Sequence, residues 1–203
     1  MVAGCFFFSS RRRHTRCSGV SWARKIINGQ KTSEVRKTRP KMDTPFKCYI
    51  YCTAGRPDLN IPISQERLMR DYLETGSMKS MNCPLGNGKV IGEFTCNRVT
   101  NLFSNSRFWL DEDDVLHTCL SAAEMRKYAN GAHGLYGWHI SNLKIYDTPK
   151  ELIEFHTWKK CKSCNKSGYE STACIYDENC IIPAAITKAP QSWCYVEEEI
   201  WND

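Results

Sequence analysis

No apolar run in this 203-residue chain approaches the roughly 18 residues that a membrane-crossing helix needs. The longest early one, Cys5-Phe6-Phe7-Phe8, is far too short for the core of a secretory signal. The expectation is a chain that avoids membranes and works in a cytoplasmic, reducing compartment. Acid is missing from residues 1–24, which hold Arg11, Arg12, Arg13, Arg16 and Arg24. That stretch accounts for most of the formal charge of +6, because the other basic residues nearly balance the 22 acidic ones. A near-neutral domain argues against tight, nonspecific binding to long nucleic acid and leaves a nucleotide-sized ligand open. His133, His139 and His156 lack the spacing of a metal site or of a nucleophile–base pair, so structural histidines are expected there.

What is present reads as one small β-rich domain. Apolar residues make up 41% of the chain and the mean hydropathy is −0.50, both ordinary for a globular protein. Twelve cysteines would suit a disulfide scaffold only outside the cell. Cys48, Cys52 and Cys96 instead fall in strand-like alternation, where a thiol serves as a small buried hydrophobe. Trp22, Ile26 and Ile27 share one helical face, and Gly29 is a natural stop after them. Residues 46–53 alternate Phe46, Cys48, Ile50 and Cys52 against Lys47, Tyr49, Tyr51 and Thr53, the period of a half-buried strand. Residues 54–88 read as an excursion with a short helix over 65–74. Asn87-Gly88 then turns the chain into a strand over 89–96.

Further along, the acidic run 111–114 precedes a helix-prone stretch, and Ser121 with Glu124 spells a capping box for a helix ending near Gly131. Tyr136, Trp138 and Ile140 alternate as a strand, Leu143-Lys144-Ile145-Tyr146 continues as another, and a helical turn is expected over 149–155. Residues 156–183 form a cysteine-rich insertion, 192–196 a last strand, and 199–203 a frayed end.

The first 24 residues have no structural period. Ser9 to Arg16 is similar to the translation of TCA AGC AGA AGA CGG CAT ACG AGA, a flow-cell adapter used in short-read sequencing. Val20 to Arg24 is similar to GTC TCG TGG GCT CGG of a transposase-type adapter in the same frame. Residues 1–24 are therefore expected to be a non-native, disordered tail, and 25–198 the domain.

Three segments together resemble the ASCH family of PUA-like β-barrels, above all its phage and prophage members. They are Gly29-Gln30-Lys31-Thr32-Ser33-Glu34-Val35-Arg36, which is similar to G-x-K-x-x-E-x-R; Gly88-Lys89-Val90-Ile91-Gly92-Glu93-Phe94; and Tyr136-Gly137-Trp138-His139-Ile140 continuing through Tyr146-Asp147-Thr148-Pro149. The resemblance implies an α+β fold, an open PUA-like β-barrel with short peripheral helices. It also implies an RNA- or nucleotide-binding role in the cytoplasm of a bacterium or phage-infected host, with the ligand in a cleft beside the G-x-K-x-x-E-x-R segment. One branch of the family hydrolyses acetylated cytidine with a lysine, a threonine nucleophile and a glutamate. Lys31 matches that lysine and is the candidate catalytic residue, but Glu34 stands at the threonine position. A carboxylate cannot replace a hydroxyl nucleophile, so binding is expected over catalysis. A small amidohydrolase using Thr32 or Ser33, and a protein-interaction adaptor, are the alternatives.

Candidate ligand-binding residues follow from residue chemistry. Lys31, Glu34 and Arg36 would line the site, the guanidinium on phosphate and the carboxylate accepting from a base amine. Strict alternation sets Glu34 and Arg36 on one face and Lys31 on the other, unless the turn after Gly29 reorients it. Lys37, Arg39 and Lys41 extend a basic patch, and Tyr49, Tyr51, Trp138 or His139 could stack on bases. Cys161, Cys164, Cys174 and Cys180 offer the four thiolates of a structural zinc site, although the second pair is spaced more widely than usual; reduced thiols are the other reading.

Overall fold

A computed structural model describes residues 4–8, 22–54, 61, 65, 69, 72–74, 85–104, 107–108, 112–160, 181–190 and 192–196. It is a strand-rich α+β chain. In order, the elements are β1 (Gly4–Phe8), α1 (Trp22–Ile27), β2 (Ser33–Arg36), β3 (Phe46–Tyr51), β4 (Val90–Ser104), β5 (Arg107–Phe108), α2 (Glu112–Thr118), α3 (Ala122–Ala129), β6 (Gly134–Lys150), a 3-10 turn (Leu152–Glu154), β7 (His156–Lys160), β8 (Ile181–Ala185) and β9 (Tyr195–Val196). Gln65, Met69 and residues 72–74 are helical as expected.

Seven strands form one sheet in the order β2-β6-β4-β3-β1-β9, with β5 paired to β4, while β7 and β8 make a separate two-stranded ribbon. Every pairing is antiparallel except β1 with β3. The edge strands β2 and β9 are not neighbours, so the sheet is not closed into a barrel. Side chains bridge the gap instead. The Trp193 indole N–H donates to Thr38 Oγ1 at 2.9 Å, and the Lys41 backbone N–H donates to the Tyr195 hydroxyl at 2.8 Å.

Two expectations are corrected by the strands. Residues 1–24 are not wholly disordered, because Gly4–Phe8 forms β1 between β3 and β9. A short apolar run such as Cys5–Phe8 carries no alternation to reveal a strand. Residues 9–21 lie outside the described residues. The two short strands expected around residues 136–146 are one long β6, whose Asn142 takes a φ of 48°. Asn tolerates that left-handed geometry. Four register shifts between β4 and β6 bend the pair without ending it, as bulges do.

The core lies on both faces of the sheet. Phe46, Cys48, Ile50 and Cys52 alternate onto one side with Ile26, Phe94, Cys96 and Trp138. Tyr49 and Tyr51, on the other face of the strand, are buried against Val90, Leu152, Phe155, Ile186 and Val196, because the 3-10 turn and the chain around β9 cover that side. A third cluster joins Val35, Leu102 and Leu135 to Leu120, Met125 and Ala129 of the helical layer. The capping box of α3 is made: the Glu124 N–H donates to Ser121 Oγ at 3.2 Å, and the Ser121 N–H donates to the Glu124 carboxylate at 2.8 Å. Burial pushes the thiols of Cys52, Cys96 and Cys194 up to about 11, which keeps them protonated and unreactive.

Gly92 shows how tightly β4 and β6 pass. A Cβ there would run into the Lys144 carbonyl oxygen, a backbone atom that cannot swing away. Gly92→Ala should therefore cost about 1–3 kcal/mol, read as a lower midpoint in urea denaturation. The expected m-value is unchanged.

Candidate functional site

The site begins with the way α1 ends. Gly29, at φ 69°, donates its N–H to the Ile26 carbonyl at 2.9 Å, and Gln30 donates to the Lys25 carbonyl at 2.8 Å. This is a Schellman closure, with glycine in the left-handed position that side chains resist. It turns the chain sharply, and the Lys31 N–H also donates to the Lys25 carbonyl at 3.0 Å. The next residues are clamped on two sides. The Thr32 N–H donates to the His117 carbonyl at 3.0 Å, and the Thr32 carbonyl accepts from Ile140 N–H at 2.8 Å.

Regular alternation starts only at Ser33, so the turn is free to bring Lys31 to the face that Glu34 and Arg36 share. It does so. Lys31 Nζ lies 2.8 Å from Glu34 Oε2, and Arg36 Nη2 lies 3.0 Å from Glu34 Oε1. All three residues are buried, at 7%, 6% and 3% exposure. Burial is the largest influence on the Glu34 carboxyl and pushes its pKa up. The charges of Lys31 and Arg36, with the hydrogen bond from Lys31, outweigh it and leave the pKa below the ordinary 4.5. The cluster is thus one fixed carboxylate held between two cations.

Its surroundings follow from strand register. Glu34 pairs with Trp138 and Arg36 with Tyr136 across β2 and β6, and directly opposed residues present their side chains on the same face. Trp138 is wholly buried, edge-on to Phe46 at 5.5 Å and to Trp193 at 5.6 Å between ring centres.

The other expected ligand residues scatter. His139 is one residue from Trp138 and so turns to the opposite face, where its ring nitrogens meet Thr100 Oγ1 at 2.6 Å and Arg98 Nη2 at 3.5 Å. Trp138, sealed in the core, presents no open face for stacking, and Tyr49 and Tyr51 are buried on the outer side. The basic patch is divided, since Arg36 points inward, Lys37 Nζ sits 5.3 Å from the centre of the Tyr128 ring, and only Arg39 and Lys41 are exposed. Cys161, Cys164, Cys174 and Cys180 lie outside the described residues, between β7 and β8, the ribbon with which the expected cysteine-rich insertion begins and ends.

Two long-range contacts of the segment 32–38 escaped the sequence reading. His117 Nδ1 lies 2.8 Å from Thr32 Oγ1 across a separation of 85 residues. Trp193 reaches Thr38 across 155. Neither pair carries a local sequence signal; only the acid-rich start of α2 favoured a helix leading to His117.

The depressed Glu34 pKa has a defined pH consequence. A carboxyl whose folded pKa lies below its unfolded value stabilises the fold fully above about pH 4.5, and that contribution is lost as acid carries the pH through the lower folded value. Glu34→Gln should cost about 3–5 kcal/mol at pH 7, because two buried cations lose their partner. It should also flatten the acid limb of the profile. Urea denaturation of both proteins between pH 3 and pH 7 checks this. No protein-family model matches this chain and no curated protein does, so the chemistry of the cluster itself carries the functional reading.

Proposed function

We propose that this chain is an RNA- or nucleotide-binding module of the ASCH type, with a PUA-like arrangement of its sheet and a phage or prophage origin. The observation that carries the proposal is the Lys31–Glu34–Arg36 cluster. Burying three ionised groups costs several kcal/mol per ion, and apolar residues would serve stability as well or better. Such a cluster beside aromatic side chains is the chemistry that nucleotide recognition uses. In the free protein the three are buried and bound to one another, so a ligand would have to open the cluster, whereupon Arg36 would offer a planar fork to a phosphate, Lys31 a point charge, and Glu34 an acceptor for an exocyclic amine. The near balance of charge outside residues 1–24 favours a ligand of one or a few nucleotides over a long duplex.

Calorimetric titration with cytidine 5′-monophosphate and a short single-stranded RNA tests the proposal. Binding is expected to weaken with a shallow salt slope, about 0.7 per phosphate engaged. Arg36→Lys, which keeps the charge and loses the fork, should weaken it at least severalfold. A wild-type protein that binds neither probe would sink the proposal.

A second reading rests on the Thr32–His117 contact. In a small amidohydrolase acting on an acetylated nucleoside, Thr32 Oγ1 would attack the acetyl carbonyl while His117 takes the hydroxyl proton and passes it to the departing amine. Water would then release acetate from the acyl-threonine. Acetate production from N4-acetylcytidine that vanishes in Thr32→Ala would favour this reading. No acetate from the wild-type protein would remove it.

A further inference from the structure

An aromatic row runs from the core towards the open edge of the sheet. Phe46 and Trp138 are sealed inside. Trp193 follows, edge-on to Trp138, and Tyr195 stands 5.3 Å from Trp193 between ring centres; both are only half-buried. The position of Trp193 is set by polar bonds as well as packing. Its indole N–H is held by Thr38, two residues past Arg36 on the same connected segment, and the Lys41 N–H holds the Tyr195 hydroxyl. These bonds join the two sheet edges that have no ladder between them. Trp193 is therefore a partly accessible ring next to Trp138, the cross-strand neighbour of Glu34.

Building on the nucleotide-binding reading, we infer that Trp193 is the residue on which the ligand's base stacks, and that the Thr38–Trp193 bond fixes the ring beside the Lys31–Glu34–Arg36 cluster. The division of labour follows from chemistry. The cluster meets charge and the base amine, while an aromatic ring supplies a stacking surface that any base accepts. Trp138 cannot take this part because it is fully enclosed. Trp193 can, because one hydroxyl bond and its edge contacts orient it while part of its surface still meets solvent.

The test titrates cytidine 5′-monophosphate and ribose 5-phosphate into wild-type protein, Trp193→Phe and Trp193→Leu, with thermal unfolding of each as the folding control. Trp193→Leu should weaken the nucleotide about tenfold or more and leave ribose 5-phosphate binding unchanged, while Trp193→Phe stays within a few fold of wild type. Cytidine 5′-monophosphate should also quench tryptophan emission in the wild-type protein and not in Trp193→Phe, a readout that holds even if the leucine variant folds poorly. Equal affinity of Trp193→Leu and wild type for the nucleotide, equal loss of both probes, or quenching that persists in Trp193→Phe would overturn the inference and leave the nucleotide reading standing. Failure of the wild-type protein to bind either probe would overturn both.

Discussion

A single carboxylate held between two cations organises the heart of this molecule. Glu34 is costly to bury as an ion, and only the simultaneous approach of Lys31 and Arg36 keeps it charged there. Everything around it serves that approach. The Schellman turn at Gly29 redirects the chain so that Lys31 crosses to the face of Glu34, and β6 holds β2 in register behind the cluster. The end of α2 grips residue 32 from the other side. Were any of these supports to shift, the carboxylate would face burial with too few partners, so the local backbone and the ion cluster stabilise one another.

Much of this was legible in the residues because local rules govern it. The capping box at Ser121, the glycine stop at Gly29 and the alternation of Phe46, Cys48 and Ile50 each depend on neighbours within a few positions, and each formed as expected. The convergence of Lys31, Glu34 and Arg36 was legible for a similar reason: three charged side chains within six positions, just past a chain reversal, have few ways to lie apart once their strand is covered on both faces. The acid-rich start of α2 was visible too.

What sequence could not reveal depends on distant partners. What closes over Tyr49 and Tyr51 was not legible, because nothing local says that the 3-10 turn and Ile186 will cover them. Trp138 and His139 read as companions, yet successive strand residues face opposite ways, and only the identity of the inward face decides which one joins the cluster. Gly4–Phe8 carries no alternation, and its ladder partners, β3 and β9, lie far along the chain. The pairing of Thr32 with His117, and of Thr38 with Trp193, is set by how the whole sheet curls, a property no window of sequence contains.

The placement of β1 has a consequence for how the molecule is made. Its ladder joins Cys5 to Tyr195 and Gly4 to Val196, so β1 completes its pairing only when a segment far along the chain comes back to it. Until β9 docks, one side of β1 stays bare, and sheets that depend on such remote partners assemble slowly. The half-buried Trp193, just before β9, and Tyr195, its first residue, reach their places only with that docking. A chain in which β9 has not yet docked would thus leave Trp138 without the Trp193 ring that packs edge-on against it.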